Sequence, residues 1–395
     1  MKGVVAGYRL VAASAAVSVT GMAMGARAQE DEVLVRGDSA GNFASRADER
    51  DSPRELTDAA SLIEPLPGAY VRRFGGDDSF ATLSIRGSSS NQVAVVLAGV
   101  PLTGGADPTL DLATLPLWPG AVATVHRSFA PAVLGPGSLG GTLVMAAPGS
   151  AAPLATDAWA AVGSFGEARL RVGDVSDLGG GARIATAVSA SRADDNFSYF
   201  NPLLSGPGAD VFTSQENAGH ADANGLASLA LPVRWSKTNE GALTVTTLAQ
   251  ARRQELPGTV YAPTPFASLA SDRELESLEL TGQEGAGAWI ARAWGRRDGL
   301  HLSDAPGSAA LGPTSADQTI VALGGSAGWR GRAARSMTID ARLDASSERF
   351  APGTYVGSTS PPGARRASMG AALDTEWRPA ARVTLSGSGR LDGWS

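Results

Sequence analysis

The chain has 395 residues, no cysteine and a formal net charge of −6 at neutral pH. The acidic balance predicts no basic surface for nucleic acid, and the lack of cysteine excludes a disulfide framework. Charged residues make up only 18% of the chain and glycine occurs 49 times, whereas a soluble globular protein carries about 25% charged residues.

Residues 1–28 predict a secretory signal peptide. Lys2 and Arg9 provide positive charge, a short apolar segment follows, and Ala26 and Ala28 form a small-residue cleavage site. The apolar segment covers roughly 15 residues, whereas a membrane-spanning helix needs about 20, and no later segment is long enough for such a helix. An exported, glycine-rich chain with few charges is typical of a transmembrane β-barrel.

Residues 29–52 predict a flexible segment, because they are polar and charged and show little periodicity. The stretch Asp31–Gly37 differs from its surroundings. Val33, Leu34 and Val35 form a short apolar patch there, which we expect to be extended.

Residues 53–149 predict a compact α+β domain. Ser52 is suited to cap a helix with Pro53 at its first position, and Pro65 would end that helix. Short strand patterns follow in the stretches LSI, VAVVL, AVATVHR and TLVM, separated by polar or glycine-rich turns. We therefore predict one short helix followed by several short strands.

From residue 151 to residue 395, apolar and polar residues alternate with a period of two. For example, Met337 and Ile339 fall on one face of their segment, and Thr338 and Asp340 fall on the other. Such alternation gives a strand one wet face and one apolar face, and it recurs in about eleven segments. The pattern predicts mainly antiparallel β-structure, arranged as a partial, open transmembrane β-barrel of about eleven strands.

The connections between these segments alternate in length. The stretch SKTNEG at 236–241 is short, whereas 193–220, 254–272 and 298–317 are long. Short turns on one rim and long loops on the other are typical of outer-membrane barrels. A soluble β-sandwich is the alternative, but its strands are shorter, and long loops at every second connection are not expected in it.

Two glycine-containing motifs match enzyme signatures but lack the structural context that those signatures need. Gly135, Gly137 and Gly140 have the spacing of a dinucleotide-binding turn, but a strand-like segment follows where that site needs a helix. Ser326 fits a hydrolase nucleophile motif, but all three histidines precede it, and the hydrolase order needs a later one. Because the histidines are scattered and no cysteine accompanies them, we expect no structural metal site, no cofactor and no enzymatic activity.

The predicted α+β domain contains, in this order, the stretches LSIRGSSSNQVAVVLAGVPL, LDLATLPLWPGAVATVHRS and LGPGSLGGTLVM. Together they resemble the plug domain of TonB-dependent outer-membrane receptors, which also have a signal peptide, a short TonB-contacting box and a large barrel around the plug. All four parts have counterparts here, so the resemblance covers the whole chain. Arg86 and Arg127 match arginines of the family motifs, whereas Ala98 replaces the aspartate of the family's L-D-G-V-P motif.

The resemblance implies three groups of site residues. The first would contact TonB as an added strand and consists of Asp31, Glu32, Val33, Leu34 and Val35. The second lies in the plug loops 75–79 and 104–109, which would face the ligand, and consists of Asp77, Asp78, Ser79, Gly104 and Asp107. The third, Arg86 and Arg127, would pair with carboxylates of the barrel wall and hold the plug in place.

The resemblance also implies energy-dependent uptake across the cell outer membrane. The substrate would be a bulky, scarce nutrient such as siderophore-bound iron, cobalamin or a similar compound. The partners would be the TonB energy-transducing complex, outer-membrane lipid and the small-molecule nutrient or metal chelate, with no role for nucleic acid. A non-transporting outer-membrane protein that only binds its ligand is the alternative.

Receptors of this kind close as 22-stranded barrels. At roughly 20 residues for each strand with its loop, residues 151–395 suffice for about half of such a barrel. We therefore expect a truncated receptor that is not competent for transport alone, with an open sheet partly wrapped around a complete plug and free edges near Ala158 and Leu391. A small closed barrel of about ten to twelve strands is the rival arrangement, and the plug would then lie outside it.

Overall fold

The computed structural model of the chain describes residues 44–52, 56, 58–74, 78–105, 107–127, 139–146, 155–196, 198–200, 212–214, 219–237, 239–256, 258–259, 262–264, 266–285, 287–304, 307, 314–356, 359–380 and 383–395. The predicted signal peptide and the stretch Asp31–Gly37 lie outside the described residues, as do Asp77, Gly135 and Gly137.

The described residues form an N-terminal domain over 44–146 and a large sheet over 155–395. The domain contains the strands β1 (Ala44–Asp48), β2 (Ala69–Arg73), β3 (Ala81–Ile85), β4 (Val93–Leu97), β5 (Val100–Pro101), β6 (Val122–Arg127) and β7 (Gly141–Ala146), and the helix α1 (Ala59–Ile63). Five strands form one sheet in the order β1-β6-β7-β4-β5, in which only β4 and β7 run parallel, and β2 and β3 form a separate antiparallel pair. The predicted α+β domain is confirmed.

Helix α1 and the strands share one apolar core. Alternate strand side chains enter it, because successive residues of a strand face opposite sides; Ile85 of β3 and Met145 of β7 are buried in this way, and Trp118 joins them from the loop before β6. The same cluster continues into the large sheet through Ala187, Leu226, Leu248 and Leu275. The domain therefore packs directly on the large sheet.

Helix α1 starts after Asp58, and the predicted start after Ser52 is wrong. The Asp58 carboxylate accepts hydrogen bonds from the backbone N–H and the hydroxyl of Ser61, at 2.8 and 2.7 Å, and so satisfies a free N–H of the first helical turn. Ser52 instead follows a short 3-10 helix. The predicted end is confirmed, since α1 stops two residues before Pro65.

The domain begins earlier than the predicted boundary at residue 53. Strand β1 lies within 29–52, for which the sequence predicts a flexible segment, and it pairs antiparallel with β6 along its whole length. Its sequence, ASRAD, contains no large apolar residue and therefore gives no strand signal. Pairing with β6, rather than local propensity, makes this segment a strand.

Among the described residues, eleven strands form the large sheet, and each pairs antiparallel with the next sheet strand along the chain. The segments are β8 (Ala155–Val162), β9 (Ala168–Gly179), β10 (Ala182–Ala193), the hairpin β11 (Ser198–Phe200) and β12 (Phe212–Ser214), β13 (His220–Arg234), β14 (Glu240–Glu255), the hairpin β15 (Gly258–Thr259) and β16 (Ala262–Pro263), β17 (Ser268–Glu284), β18 (Gly287–Asp304), β19 (Thr314–Ala334), β20 (Met337–Val356), β21 (Ala364–Ala380) and β22 (Val383–Trp394). The two hairpins are not members of the large sheet. The predicted strand number of about eleven is confirmed.

Connections alternate between short and long, as predicted. Because each strand reverses direction, alternate connections lie at the same rim of the sheet. The short-turn rim contains connections such as 180–181 and 335–336, and the long-connection rim contains 194–219 and 256–267. The predicted loop 298–317 is shorter in the structure, since β18 and β19 extend into it and leave 305–313 between them.

The large sheet is open. Its order runs from β22 to β8, and no pairing between these two strands is present in the described part of the chain. Ala158 lies in β8 and Leu391 in β22, so both edges fall where the sequence predicts them. The rival small closed barrel is therefore excluded.

The two faces of the large sheet differ in polarity. The face turned away from the N-terminal domain exposes apolar side chains such as Leu343, Met369 and Leu391, and the face toward the domain carries buried polar groups such as Gln250 and Arg296. Apolar outward and polar inward positions are the pattern of an outer-membrane barrel wall. No helix in the described ranges has the length and apolar character needed to cross a membrane.

Tryptophans mark the short-turn rim of the large sheet. Trp235 and Trp289 lie beside the turns after β13 and before β18, with ring centroids 5.2 Å apart. Both pack over Gly282, where any larger side chain would collide with the two rings. Aromatic side chains collect at membrane–water interfaces because their bodies are apolar and their edges polar. This rim therefore has the composition of an interfacial belt.

Candidate functional site between the N-terminal domain and the large sheet

Side chains of the large sheet donate hydrogen bonds to backbone carbonyls of the N-terminal domain. The donors project from the inner face of β9, β14 and β18. The bonds run from Arg171 Nη2 to Leu56 O at 2.5 Å, from Gln250 Nε2 to Thr114 O at 2.6 Å, from Arg252 Nη1 to Ala113 O at 2.7 Å, from Arg296 Nη1 to Pro101 O at 2.9 Å and from Arg292 Nη1 to Gly99 O at 3.3 Å. Hydrogen bonds from a charged donor are stronger than neutral ones, so this set fixes the position of the domain.

A group of charged side chains, here called the rim cluster, joins the domain to the long-connection rim. It consists of Asp78, Arg169, His220, Asp222 and Arg252, all of them more than nine-tenths buried. Asp78 Oδ2 lies 2.6 Å from Arg169 Nη1 and 3.1 Å from His220 Nε2. Arg252 Nη1 lies 3.4 Å from Asp222 Oδ2, and its other terminal nitrogen donates to the backbone carbonyl of Asp78.

The local structure explains why these side chains meet. Arg169 is the second residue of β9, and His220 is the first residue of β13, so both directly follow connections of the long-connection rim. His220 and Asp222 are two residues apart in one strand and so face the same side. Asp78 has a positive φ of 58°, a conformation that aspartate tolerates better than most residues, and this turn brings its carboxylate to the sheet.

The predicted ligand loops lie against the large sheet. Asp78 belongs to the rim cluster, Ser79 is half-buried, and Asp77 lies outside the described residues. The backbone N–H of Gly104 donates to Asp107 O at 3.0 Å. A side chain at Gly104 would collide with the carboxylate of Glu348 in β20, so this loop also follows the wall closely.

Asp107 lies among charges of the large sheet. Burial raises the pKa of its carboxyl, while the nearby Arg273 and Arg296 lower it and Asp298 adds to the rise. The net direction is upward, because loss of hydration penalises the charged form. Asp78 and Asp107, predicted from the resemblance as ligand contacts, are therefore both close to arginines of the wall.

Arg127 makes its described hydrogen bonds inside the N-terminal domain, to Pro67 O at 3.1 Å and to Ala44 O at 3.4 Å. Arg86 follows β3 with a positive φ of 52° and is exposed. The pairing of these two arginines with wall carboxylates stays a prediction. Another arginine of the domain does pair with a carboxylate of the large sheet: Arg50 and Asp157 of β8 lie 3.7 Å apart.

Neither enzyme motif has the structure that its chemistry would need. Ser326 lies within β19 and pairs with residues of β18 and β20, whereas a nucleophile elbow needs a sharp strand-to-helix turn. Gly140 is followed by strand β7 rather than by a helix, so no helix N-terminus is available for a phosphate.

A cavity of about 1010 Å³ lies between the N-terminal domain and the inner face of the sheet. Strands β4 and β7 line one side, and charged residues of β18 to β22 line the other, among them Arg342, Glu348 and Arg390. Arg390 holds Asp344 through two bonds of 2.8 Å. The space is polar on its wall side and reaches the β22 edge at Trp394.

The model of the family described as TonB-dependent Receptor Plug Domain matches residues 44–142. Among solved structures, the chain is similar to the copper transporter OprC, at 17% sequence identity and a TM-score of 0.67. It is also similar to the ferric enterobactin receptor PfeA from Pseudomonas aeruginosa, at 13% and 0.66, and to the FrpB iron transporter from Neisseria meningitidis, at 12% and 0.66. No curated protein matches the chain in sequence.

The three structural alignments cover most of this chain but a smaller share of the others. They include 91% of this chain and 56% of OprC, 91% and 59% for PfeA, and 90% and 60% for FrpB. The chain therefore spans less than two thirds of the length of these proteins. At such low identity the alignments establish the fold, and the match to residues 44–142 establishes the N-terminal domain.

Proposed function

We propose that the chain, whose residues 44–142 match the TonB-dependent receptor plug domain, is a TonB-dependent receptor and takes part in energy-dependent uptake of a bulky, scarce nutrient across the cell outer membrane. Receptors of this family are transporters rather than enzymes. The observation that carries the proposal is the packing of the plug domain on the polar inner face of a sheet whose outer face is apolar.

The segment Asp31–Gly37 is the proposed contact to TonB. It precedes the first strand of the plug, so it can reach a periplasmic partner without being part of the plug core. An added strand gains affinity from backbone hydrogen bonds and specificity from alternate side chains, and Val33 and Val35 alternate in this way. A pull on this segment is transmitted to β1 and then to the bonds that Arg171, Arg252 and Arg296 donate to the plug.

The proposed substrate is a metal chelate such as a ferric siderophore, with cobalamin as a second candidate. The similar proteins of known structure support this class, since they are a ferric enterobactin receptor, an iron transporter and a copper transporter. The ligand would bind at the long-connection rim, where Asp77, Ser79 and Gly104 are proposed contacts. Asp78 and Asp107 would reach it only after their contacts with wall arginines break.

This function can be tested with cells that display the full chain. The measurements are surface binding and uptake of radiolabelled ferric enterobactin. We expect the unchanged chain to bind the ligand, and to take it up only when a second polypeptide supplies the rest of the barrel wall; deletion of Asp31–Gly37 should then abolish uptake and leave binding intact. Deletion of Asp38–Phe43 is the matched control, because it shortens the same linker and leaves the proposed contact intact.

Uptake that survives the deletion of Asp31–Gly37 would place the TonB contact elsewhere. Binding without uptake even when the rest of the wall is supplied would favour the alternative, a non-transporting ligand-binding protein. Ferric enterobactin, cobalamin and copper are compared in parallel, and failure of all three to bind would exclude the proposed substrate class.

A further inference from the structure

We propose that Asp78, His220 and Asp222 form a binding site for a divalent transition-metal ion that ties the plug to the barrel wall. One possible ligand atom from each residue lies within 4.8 Å of the others. Asp78 belongs to the plug, and His220 and Asp222 belong to strand β13 of the wall. The sequence predicts no metal site because the histidines are scattered, and the fold brings one of them to two carboxylates.

One ligand atom of the group is unused, and the other two face each other. Asp222 Oδ1 is buried and has no hydrogen-bond partner among the described residues. Asp78 Oδ2 and His220 Nε2 lie 3.1 Å apart, and Arg169 Nη1 lies 2.6 Å from Asp78 Oδ2. Buried polar atoms in native proteins almost always have a hydrogen-bond partner. The unpartnered oxygen of Asp222, within 4.8 Å of two further atoms that can donate an electron pair to a metal, therefore indicates a missing ligand.

The second nitrogen of His220 is already oriented. His220 Nδ1 lies 3.3 Å from Asp195 Oδ2, and a metal-binding histidine commonly donates its other ring N–H to a carboxylate. This contact leaves Nε2 to face Asp78 Oδ2 at 3.1 Å. Two ligand atoms at that separation can bind one ion at about 2.0–2.2 Å each.

Charge at the site favours a dication. Four carboxylates and two guanidinium groups surround it, and the metal-binding form of histidine is neutral, so two negative charges are in excess. The carboxylates belong to Asp78, Glu167, Asp195 and Asp222, and the guanidinium groups belong to Arg169 and Arg252. Asp78 and Asp222 are buried, whereas Glu167 and Asp195 are about one-third exposed, so water screens part of the excess charge and a divalent ion would compensate the rest.

The neighbouring arginines have other acceptors when the metal binds. Arg169 Nε already contacts Glu167 Oε1 at 2.5 Å. Arg252 donates to Ala113 O at 2.7 Å and to Gln254 Oε1 at 3.2 Å. Both guanidinium groups can therefore release the aspartates without losing all their partners.

One imidazole nitrogen and two carboxylate oxygens suit Zn²⁺, Cu²⁺ or Ni²⁺ better than Ca²⁺ or Mg²⁺, which prefer oxygen ligands alone. A bound ion would stabilise the docked plug, because the ligand set is complete only when the plug contacts β13. The site shares Asp78 with the proposed nutrient site, and its occupancy would hold Asp78 against the wall and oppose plug release.

Zn²⁺ titration by calorimetry of the metal-stripped full chain in detergent tests this site. We expect one Zn²⁺ per chain, and at least tenfold weaker binding in each of His220→Ala, Asp222→Asn and Asp78→Asn. His301→Ala is the control, because His301 pairs with an aspartate of another strand and is exposed. Absence of Zn²⁺ binding to the unchanged chain, or equal binding by His220→Ala, would overturn the proposal.

Two further measurements separate a metal site from a purely structural cluster. Co²⁺ bound to the unchanged chain should give visible absorption bands that Asp222→Asn lacks. The near-ultraviolet circular dichroism of Asp222→Asn should stay unchanged, because only a folding defect would alter it. His220→Gln keeps a polar side chain of similar size and should retain the fold but lose Zn²⁺. Unchanged Zn²⁺ affinity in Asp78→Asn would exclude a link between plug and wall.

Discussion

Single carboxylates in the plug serve more than one partner, and Asp58 is the clearest case. It caps helix α1 and also receives two hydrogen bonds from Arg73, at 2.5 and 2.9 Å. Burial acts to raise the pKa of Asp58, but the hydrogen bonds from Arg73 and Ser61 outweigh it, and the net shift is downward. The sequence indicates a helix here but favours Ser52 as its cap, because Arg73 becomes a partner of Asp58 only in the folded domain.

Asp58→Ala should destabilise the full chain by about 3–5 kcal/mol, since it removes a cap worth about 1 kcal/mol and leaves Arg73 without its buried partner. Asp58→Asn should cost about 1 kcal/mol less, because asparagine also caps helices. Urea unfolding in detergent, followed by tryptophan fluorescence, measures both. Equal losses for the two variants would contradict a capping role.

The stability difference between the unchanged chain and Asp58→Asn should depend on pH in a defined direction. The folded-state pKa of Asp58 is lowered, so its carboxylate contributes fully above the ordinary value of about 3.9. That contribution is lost as pH falls through the lower folded-state pKa. Unfolding free energies at pH 7, 5 and 3 should show a constant difference down to about pH 5 and a smaller one at pH 3.

At the scale of elements, the wall strands could be predicted far better than their contacts. Period-two alternation gives the number, direction and faces of the strands, because these features depend only on residues that are close together in the sequence. In the structure, Arg252 of β14 is buried on the inner face and Arg253 is exposed on the outer face. The alternation cannot give the partners of Arg252, because Ala113 lies 139 residues away in sequence and only docking of the plug brings it near. The rim cluster was missed for the same reason.

Arg252→Gln should weaken docking of the plug, whereas Arg253→Gln should not. Arg252 is buried and bonds four plug or wall groups, and loss of a charged hydrogen bond costs about 1.5–3 kcal/mol. Arg253 is exposed on the opposite face of the same strand. Limited proteolysis of the full chain in detergent should cleave the plug of Arg252→Gln several-fold faster. Equal cleavage rates for both variants would show that the carbonyl contacts of Arg252 do not hold the plug.

At the scale of the whole molecule, the wall packs against the plug, and its edge strands β8 and β22 have no further strand beside them in the described part of the chain. The sequence predicts this from strand number alone, since eleven strands are half of the 22 in receptors of this kind. An edge within a bilayer leaves backbone N–H and C=O groups unpaired, at several kcal/mol each. The open sheet therefore needs a partner for β8 and β22 before it can form a stable membrane wall.

Disulfide trapping tests the open edge directly, because the chain has no native cysteine. Ala158→Cys combined with Leu391→Cys places one thiol on the outer face of each edge strand, and the open sheet predicts no intramolecular bond under mild oxidation. Ala158→Cys with Val172→Cys is the positive control, since these residues are register partners of β8 and β9 with Cβ atoms about 4.5–5.5 Å apart. Trapping of the edge pair at the rate of the control would mean that β8 and β22 meet within one chain, and the wall would then be a closed barrel too narrow to enclose the plug.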